Sequence, residues 1–253
     1  MQFDKYRYYH DAVQAPDVDA RFIHNLYRRL HGRSARILRE DFCGTFAVLC
    51  EWVKISKHHK GIGIDLDPEP LQYGALNYLP RLKPEQQQRL HLLEDDVLKV
   101  RPPTADVVVA MNFSYCLFHE RELLLRYFKR VYAGLKSDGI FIVDNFGGSA
   151  CQGPITDKTR KRDYWYFWQQ ENFEPVTHKA KFHIHFKRDG EKLRRRVFSY
   201  DWRLWTIPEL RELMKNAGFH KTLVYWQDDK GHFRASTKGE PCEAWISYVV
   251  GLK

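Results

Sequence analysis

Acidic and amide side chains recur where predicted strands end. Glu40 ends the first strand, Asp65 ends the second 25 residues later, and Asp96, Asn112 and Asp144 follow the next three. In an open parallel sheet, ligands bind beyond the carboxyl ends of the strands. A carboxylate after the second strand can accept both hydroxyls of a ribose, and the third acid can accept from an adenine amino group. The pattern therefore predicts a site for an adenosine-containing ligand.

The elements that must position these side chains alternate between strand and helix from residue 35 to 145. The predicted strands are Ala35–Glu40, Gly61–Asp65, Leu90–Leu93, Asp106–Met111 and Ile140–Asp144, and the predicted helices are Thr45–Lys57, Pro68–Tyr78 and Arg121–Lys136. This alternation predicts an α/β fold: a doubly wound, mostly parallel seven-stranded sheet with helices on both faces.

The pattern changes after the fifth strand. Residues 163–202 are basic and aromatic with a period of two, which predicts an antiparallel β insertion between strand five and the last helix. A capping box at Thr206–Glu209 begins that helix, and two strands near Thr222–Trp226 and Ala244–Val250 form a final hairpin. We expect a helical lid at 1–34, a Rossmann-like core at 35–150, the insertion as a substrate cap at 151–203, and a completing segment at 204–253.

Four segments resemble the motifs of class I, Rossmann-like, S-adenosylmethionine-dependent methyltransferases. Leu38-Arg-Glu-Asp-Phe-Cys-Gly-Thr45 resembles the first motif and Gly63-Ile-Asp-Leu-Asp-Pro-Glu-Pro70 the second. Asp95-Asp-Val97 is similar to the third, and Leu135-Lys-Ser-Asp-Gly-Ile-Phe-Ile-Val-Asp144 to the fifth-strand signature. The first motif, Arg-Glu-Asp-Phe-Cys-Gly-Thr, also resembles that of an uncharacterised bacterial branch.

The resemblance implies S-adenosylmethionine as cofactor and assigns roles by position. Glu40 contacts its amino-acid end, Asp65 holds the ribose, and Asp96 with the Val97 N–H reads the adenine edge. The remaining implied cofactor-binding residues are Phe42, Cys43 and Gly44 in the first loop, Leu66 against the adenine, and Asn112 and Phe113 near the methyl group.

The first loop departs from the family pattern. Phe42 and Phe46 stand where the family often has glycine, and of the usual three glycines only Gly44 remains. The same loss weakens a nicotinamide dinucleotide as a rival ligand, because its pyrophosphate needs a G-x-G-x-x-G run.

The insertion carries the residues expected on the substrate side. If Asp189-Gly190 forms a two-residue turn, His185 pairs with Arg194 and His183 with Arg196, on the face opposite Phe182, Ile184 and Phe186. We expect these two histidines and two arginines either to border the substrate, with a neutral imidazole as general base, or to form a solvated outer face.

Two other groups of residues carry open interpretations. Tyr115 and His119 both follow strand four. Tyr115 is a candidate substrate-binding residue, and His119 is either a catalytic residue or a helix-capping one. The aromatic string Tyr164–Trp168 is a covered strand, a stacking wall or a dimer contact. No group of ligands has metal spacing, so we expect no metal.

Composition narrows the class of protein. The chain has 253 residues, five scattered cysteines and a net charge of +9, which argues against a disulfide framework. It has no apolar run long enough to cross a bilayer and no signal-like start, so we expect a cytoplasmic protein with no membrane partner. The basic excess in residues 151–200 indicates an anionic partner or a solvated surface.

These observations leave three functions open. The first is methyl transfer to a small molecule, aromatic or anionic, with a second copy of the chain as a candidate partner in a homodimer. The second is RNA base methylation, with the basic, aromatic insertion holding phosphates and stacking a base. The third is a non-catalytic, cofactor-binding regulator, supported by the glycine losses alone.

Overall fold

A computed structural model describes residues 3–228 and 230–253 of the chain. Its helices are α1 Lys5–Val13, α2 Pro16–His31, α3 Ala47–Ile55, α4 Pro68–Asn77, α5 Pro84–Gln87, α6 Arg121–Gly134 and α7 Ile207–Ala217. Its strands are β1 Ile37–Asp41, β2 Lys60–Asp65, β3 Leu90–Glu94, β4 Ala105–Ala110, β5 Leu135–Gly147, β6 Ile155–Arg160, β7 Tyr164–Gln170, β8 Lys179–Arg188, β9 Arg194–Arg203, β10 Lys221–Gln227, β11 Phe233–Ala235 and β12 Trp245–Leu252.

The main sheet has eight strands in the order β11-β10-β12-β5-β4-β1-β2-β3. Strands β1 to β5 are parallel, and β12 runs antiparallel to both β5 and β10. The α/β class, the mostly parallel sheet and the final hairpin are thus confirmed. The expected number of seven strands is wrong, because the short β11 adds an edge pairing to β10.

Helices cover both faces of this sheet. Apolar side chains of α2 and α3 pack on one face around Ile23 and Trp52, and those of α6 and α7 pack on the other around Phe128 and Leu213. The strand β4 is buried along its whole length, as expected for a parallel strand covered on both faces.

The helix boundaries follow local chemistry. Pro16 occupies the first turn of α2, where its missing N–H costs no hydrogen bond. The Thr206 hydroxyl accepts the Glu209 N–H, and the Glu209 carboxylate accepts the Thr206 N–H, which completes the predicted capping box of α7. Gly218 then ends α7 in the left-handed conformation.

A second sheet, β6-β7-β8-β9, is antiparallel throughout and confirms the insertion. The helix α1 packs its Tyr8 against Tyr164 and Phe186 of this sheet. The first residue of α1, Lys5, pairs with Glu69 of α4 at 2.6 Å. The helix α1 therefore bridges the insertion and the core, whereas α2 packs within the core.

Candidate active site

A cavity of about 480 Å³ lies at the carboxyl ends of β1, β2 and β4. The helix α1 and the edge strand β9 close its other sides through Tyr9 and Tyr200. Its volume is in the range of small-molecule sites, and it lies where a doubly wound sheet binds ligands.

The carboxylate of Asp65 orders two loops at this edge. Its Oδ2 accepts the backbone N–H of Gly44 at 2.6 Å, and its Oδ1 accepts that of Asp67 at 2.9 Å. Burial raises the pKa of Asp65, and the two backbone hydrogen bonds oppose that rise. The loop after β1 and the loop after β2 are thereby held against each other on the cavity wall.

The loop after β1 has positive backbone φ angles at three positions, although only one of the three residues is a glycine. Phe42, Gly44 and Phe46 all have a positive φ, of 58°, 52° and 48°. Such angles are strained for a bulky residue. Phe46 is fully buried, and the Phe42 ring packs against Phe118 and Tyr127. Burial of the two rings offsets the strain, so the backbone follows its course although both residues carry a large side chain.

Glu40 is the most unusual charged group in the cavity wall. Only 4% of the residue is exposed, and among the described residues its Oε2 has no hydrogen-bond partner. Burial, followed by the nearby carboxylates of Asp19 and Asp65, raises the pKa of Glu40 well above its usual value. A cation placed beside this carboxylate favours its ionised form.

Asp144 holds the backbone of Asn112, which lines the cavity. Its carboxylate accepts the backbone N–H groups of Asn112 and Phe113 at 2.7 and 2.9 Å. Burial raises its pKa to about 7, against the effect of these two hydrogen bonds. Asn112 and Phe113 have positive φ angles, and Asp144 holds this tight turn at the end of β4.

Aromatic side chains from two elements form the remaining wall. Tyr6 and Tyr9 come from α1, and Phe198, Tyr200 and Trp202 come from β9. The rings of Tyr9 and Phe198 lie 4.9 Å apart, and those of Tyr200 and Trp202 stack at 4.5 Å. Burial raises the pKa of Tyr9 to about 12, so its phenol stays protonated and can donate a hydrogen bond.

The structure brings six of the predicted cofactor residues to one cavity wall. They are Glu40, Phe42, Cys43, Gly44, Asp65 and Asn112.

The other four predicted cofactor residues lie outside that wall. Leu66 is 69% exposed, and Val97 is buried in the core. The Asp96 carboxylate accepts the Leu98 N–H at 2.9 Å, and Phe113 packs against Phe146.

The candidates that follow strand four are not cavity residues either. Tyr115 is fully buried, and its hydroxyl donates to the Asp144 carbonyl at 2.9 Å. The His119 Nε2 lies 2.9 Å from the carbonyl oxygen of Asp201. His119 thus contacts the strand that lines the cavity.

The expected hairpin register in the insertion is wrong. His183 pairs with Ser199 and Ile184 with Phe198, and the register shifts before Phe186 pairs with Arg194. Arg196 takes a positive φ of 52° within the irregular stretch. The turn is longer than the two residues assumed, because β8 ends at Arg188 and β9 begins at Arg194.

The predicted cluster of two histidines and two arginines does not form around the cavity. His183 and His185 are buried on the face opposite Phe182 and Ile184. Arg194 pairs with Glu191 at 3.3 Å and Arg196 with Glu171 at 3.2 Å. Both arginine side chains are about half exposed and lie outside the cavity lining.

Sequence reasoning missed several cavity residues. Asp67, Asp201, Tyr200 and Trp202 line the cavity, and none was singled out as a site residue. Asp67 lies within the second motif. The alternating pattern of β9 identified Tyr200, Asp201 and Trp202 only as strand residues. Such a pattern does not show which edge of the sheet lies against a binding site.

Solved structures with the same fold are S-adenosylmethionine-dependent methyltransferases. One from Clostridium acetobutylicum is 20% identical, with 98% of this chain and 97% of that one covered and a TM-score of 0.71. An amino pentose methyltransferase of calicheamicin biosynthesis from Micromonospora echinaspora is 14% identical, with 98% of each chain covered and a TM-score of 0.68. A sugar N-methyltransferase from Streptoalloteichus is 14% identical, with 100% and 94% covered and a TM-score of 0.68.

The chain has the fold of these methyltransferases. No protein-family model and no curated protein sequence matches it. Within residues 3–228 and 230–253, no helix is long and apolar enough to cross a membrane. The same residues contain no group of three or more His, Cys, Asp or Glu side chains able to hold a metal ion.

Proposed function

We propose that the chain is an S-adenosylmethionine-dependent methyltransferase that methylates the nitrogen of a small amine. The charge of the cavity carries this proposal. Its charged lining residues, within the part of the chain that the structure describes, are Glu40, Asp65, Asp67 and Asp201, and lysine and arginine are absent from that lining. A wall of this kind attracts cations and repels anions.

The residues present fit the proposed cofactor. S-adenosylmethionine carries an ammonium group and a sulfonium, and the Glu40 Oε2, which has no hydrogen-bond partner among the described residues, offers a buried carboxylate to a cation. Asp65 lies at the end of β2, where a carboxylate can accept from ribose hydroxyls. A Cβ at Gly44 would have no neighbour within 4 Å among the described residues, so the backbone there is open to a ligand.

The other end of the cavity fits an amine acceptor. Asp201 adds an acidic residue to this lining, with its Oδ1 3.7 Å from the His119 Nε2, and Tyr9, Tyr200 and Trp202 supply aromatic rings. An ammonium group gains from such ring faces as well as from the carboxylate. Two of the solved structures with this fold are described as an amino pentose and a sugar N-methyltransferase, which supports the same acceptor class.

The same wall disfavours the anionic acceptors expected from the sequence. A phosphate or carboxylate would meet acidic side chains here and no lysine or arginine among the described lining residues, and the arginines Arg194 and Arg196 of the insertion lie elsewhere. RNA binding depends on cations that meet phosphates, so RNA is disfavoured at this cavity too. The regulator interpretation rested on the glycine losses alone. It loses that support, because Phe42 and Phe46 take the positive φ angles that glycine would adopt in this loop.

The chemistry is direct displacement. When bound, S-adenosylmethionine would supply a methyl group that its sulfonium activates for displacement by the lone pair of an amine. The chain's own part is to hold the amine in line, to exclude water and to remove one proton from an ammonium acceptor. The aromatic wall from α1 and β9 performs the first two tasks.

Calorimetry and a turnover assay test the proposal. We expect S-adenosylhomocysteine to bind with a Kd in the micromolar range, about −8 kcal/mol. In the presence of S-adenosylmethionine, a panel of amino sugars and primary alkylamines should release S-adenosylhomocysteine, and a matched panel of sugar phosphates should not. Preference for NAD over S-adenosylmethionine, or turnover of the phosphates alone, would overturn it.

A further inference from the structure

Five aromatic side chains of β9 and α1 line the cavity together. Phe198, Tyr200 and Trp202 alternate along β9, so they lie on the same face of the insertion sheet, and all three belong to the cavity lining. The helix α1 adds Tyr6 and Tyr9 to that lining. The Phe198 ring lies 4.9 Å from the Tyr9 ring and 5.9 Å from the Tyr6 ring. These five residues form the aromatic wall.

A second layer of rings holds the wall in place behind β9. Trp168 of β7 stacks on Phe182 of β8 at 5.1 Å. The Trp168 ring also lies 6.2 Å from Tyr200 and 6.0 Å from Trp202. Phe182 is fully buried, and its ring lies 5.3 Å from Trp202. These contacts fix the rings before a ligand arrives, so little side-chain ordering is left for binding.

The aromatic wall carries no charge near neutral pH. Burial raises the pKa of Tyr9 to about 12 and raises that of Tyr200 well above its ordinary value, so both phenols keep their proton. A neutral ring still attracts a cation, because its face carries the negative part of the ring quadrupole. That attraction does not depend on N–H bonds of the cation.

Methylation changes which kind of site suits an amine. Each methyl group replaces an N–H donor and adds apolar surface, while the charge of the ammonium group stays. A carboxylate or carbonyl site loses a hydrogen bond at each replacement, whereas a ring face keeps its attraction and gains apolar contact. Cages of aromatic rings recognise quaternary ammonium groups for this reason. The aromatic wall therefore suits a methylated ammonium group better than one with three hydrogens.

We infer that the aromatic wall selects acceptors whose nitrogen already carries one or two methyl groups, so that the products are tertiary amines and quaternary ammonium ions. The inference rests on the proposed function. The ammonium form of the acceptor gives one proton to water, and the freed electron pair forms the new bond from nitrogen to the methyl carbon. The electron pair of the broken carbon–sulfur bond stays on the sulfur of S-adenosylhomocysteine. Positive charge grows on the nitrogen during this step, and the ring faces stabilise it there.

The first test measures binding without turnover. Choline, ethanolamine and 3,3-dimethylbutan-1-ol, the uncharged isostere of choline, are titrated by calorimetry into the protein saturated with S-adenosylhomocysteine. We expect choline to bind about tenfold more tightly than either of the other two, because only choline has both the charge and the methyl groups. An ethanolamine affinity equal to or above that of choline would show that carboxylates hold the cation. That result, or equal affinity for the isostere, would overturn the inference.

Substitutions at Tyr200 separate its ring from its hydroxyl. Tyr200→Phe keeps the ring face and should keep the affinity for choline, whereas Tyr200→Leu removes the ring and should lower that affinity about tenfold. The matched control is Trp165→Leu, since Trp165 lies on the opposite face of the insertion sheet and outside the cavity lining. Choline affinity in Tyr200→Leu equal to that of the wild type would contradict the role of the wall. If Tyr200→Leu does not fold, the comparison of the three compounds in the wild type still decides.

Turnover and cofactor binding complete the test. With S-adenosylmethionine, kcat/KM should rise about tenfold from ethylamine through N-methylethylamine to N,N-dimethylethylamine, and Tyr200→Leu should flatten the series. A wild-type series that is flat or falls with methylation would overturn the inference. Absent binding of S-adenosylhomocysteine to the wild type defeats the proposed function itself. Normal binding, with choline held no better than ethanolamine, defeats the selection by the wall alone.

Discussion

The carboxylate of Asp65 accepts the backbone N–H of Gly44 at 2.6 Å, so the end of β2 holds the loop that follows β1. The two residues lie 21 positions apart in the chain and together form one corner of the cavity. One side chain thus orders the first motif and is available to the ribose of a ligand.

Replacing Asp65 tests this corner. Asp65→Ala removes the Gly44 anchor and the acceptor for ribose hydroxyls, so S-adenosylhomocysteine binding should weaken by about 1.5–3 kcal/mol. Isothermal calorimetry measures the change. The control is Asp17→Ala, which removes an exposed carboxylate paired with Arg21 and should leave affinity unaltered. Unchanged affinity in Asp65→Ala would place the ligand elsewhere.

Glu40 predicts a proton linkage on binding. Its pKa is raised by burial and nearby acids, and a ligand ammonium favours the ionised form. Binding should therefore release protons, and affinity for S-adenosylhomocysteine should rise with pH. Calorimetry in buffers of different ionisation enthalpy counts the protons. Glu40→Gln should bind more weakly and release fewer; equal release in both proteins would contradict this role.

Asp201 tests the acceptor class. Asp201→Asn removes the acidic charge at the acceptor end while keeping the size of the side chain, so KM for an amine should rise by about tenfold, equivalent to about 1.4 kcal/mol. Affinity for S-adenosylhomocysteine should stay at the wild-type value. Steady-state kinetics with the alkylamine panel provides the measurement. Arg194→Ala is the control, because Arg194 lies outside the cavity lining; a larger effect there would restore the anionic acceptor.

The core contains a buried ion pair, and removing one partner should strongly lower the free energy of unfolding. Arg39 Nε donates to Asp41 Oδ1 at 2.6 Å, the Tyr127 hydroxyl donates to Asp41 Oδ2 at 2.8 Å, and all three residues are buried. Arg39→Met leaves a buried carboxylate without its cation and should cost about 3–5 kcal/mol. Tyr127→Phe should cost about 1 kcal/mol.

Urea unfolding of these variants and of the double variant Arg39→Met/Asp41→Leu checks that prediction. The double variant should recover most of the loss, because no unpaired charge remains buried. A double variant as unstable as Arg39→Met would show that packing, not the orphaned charge, sets the cost.

His59 predicts how stability depends on pH. Its ring stacks on Trp52 with centroids 3.9 Å apart and is 1% exposed, and burial lowers its pKa to about 4. The unfolded chain titrates near 6.5, so between these values it binds more protons than the native state. The contribution of His59 is complete above about pH 6.5 and is lost as the pH falls toward 4.

The variant His59→Gln isolates this contribution. Other buried groups titrate in the same range with the opposite sign, since burial raises the pKa of Asp144 to about 7 and that of Asp19 to about 6. The stability difference between wild type and His59→Gln should therefore shift against the wild type by about 1–3 kcal/mol from pH 7 to pH 4. Urea unfolding at the two pH values measures it, and a constant difference would refute the assignment.

Local chemistry in the sequence determined the elements of the core. The apolar run of β4, the amphipathic pattern of α6, the capping box at Thr206 and the acids at strand ends all depend on neighbours in the chain. Parallel strands place their carboxyl ends on one edge, which is why Glu40, Asp65 and Asn112 could be expected to meet. The cavity lining contains all three.

Tertiary structure decided which other residues share that cavity. The register of β8 and β9 depends on the five-residue connection 189–193 and on a shift near Arg196, and a slipped register moves side chains to different partners. It therefore set His183 against Ser199 and left Arg194 outside. The docking of α1, which brings Tyr9 to Tyr200, depends on packing between segments almost 200 residues apart, and no local pattern encodes such a contact.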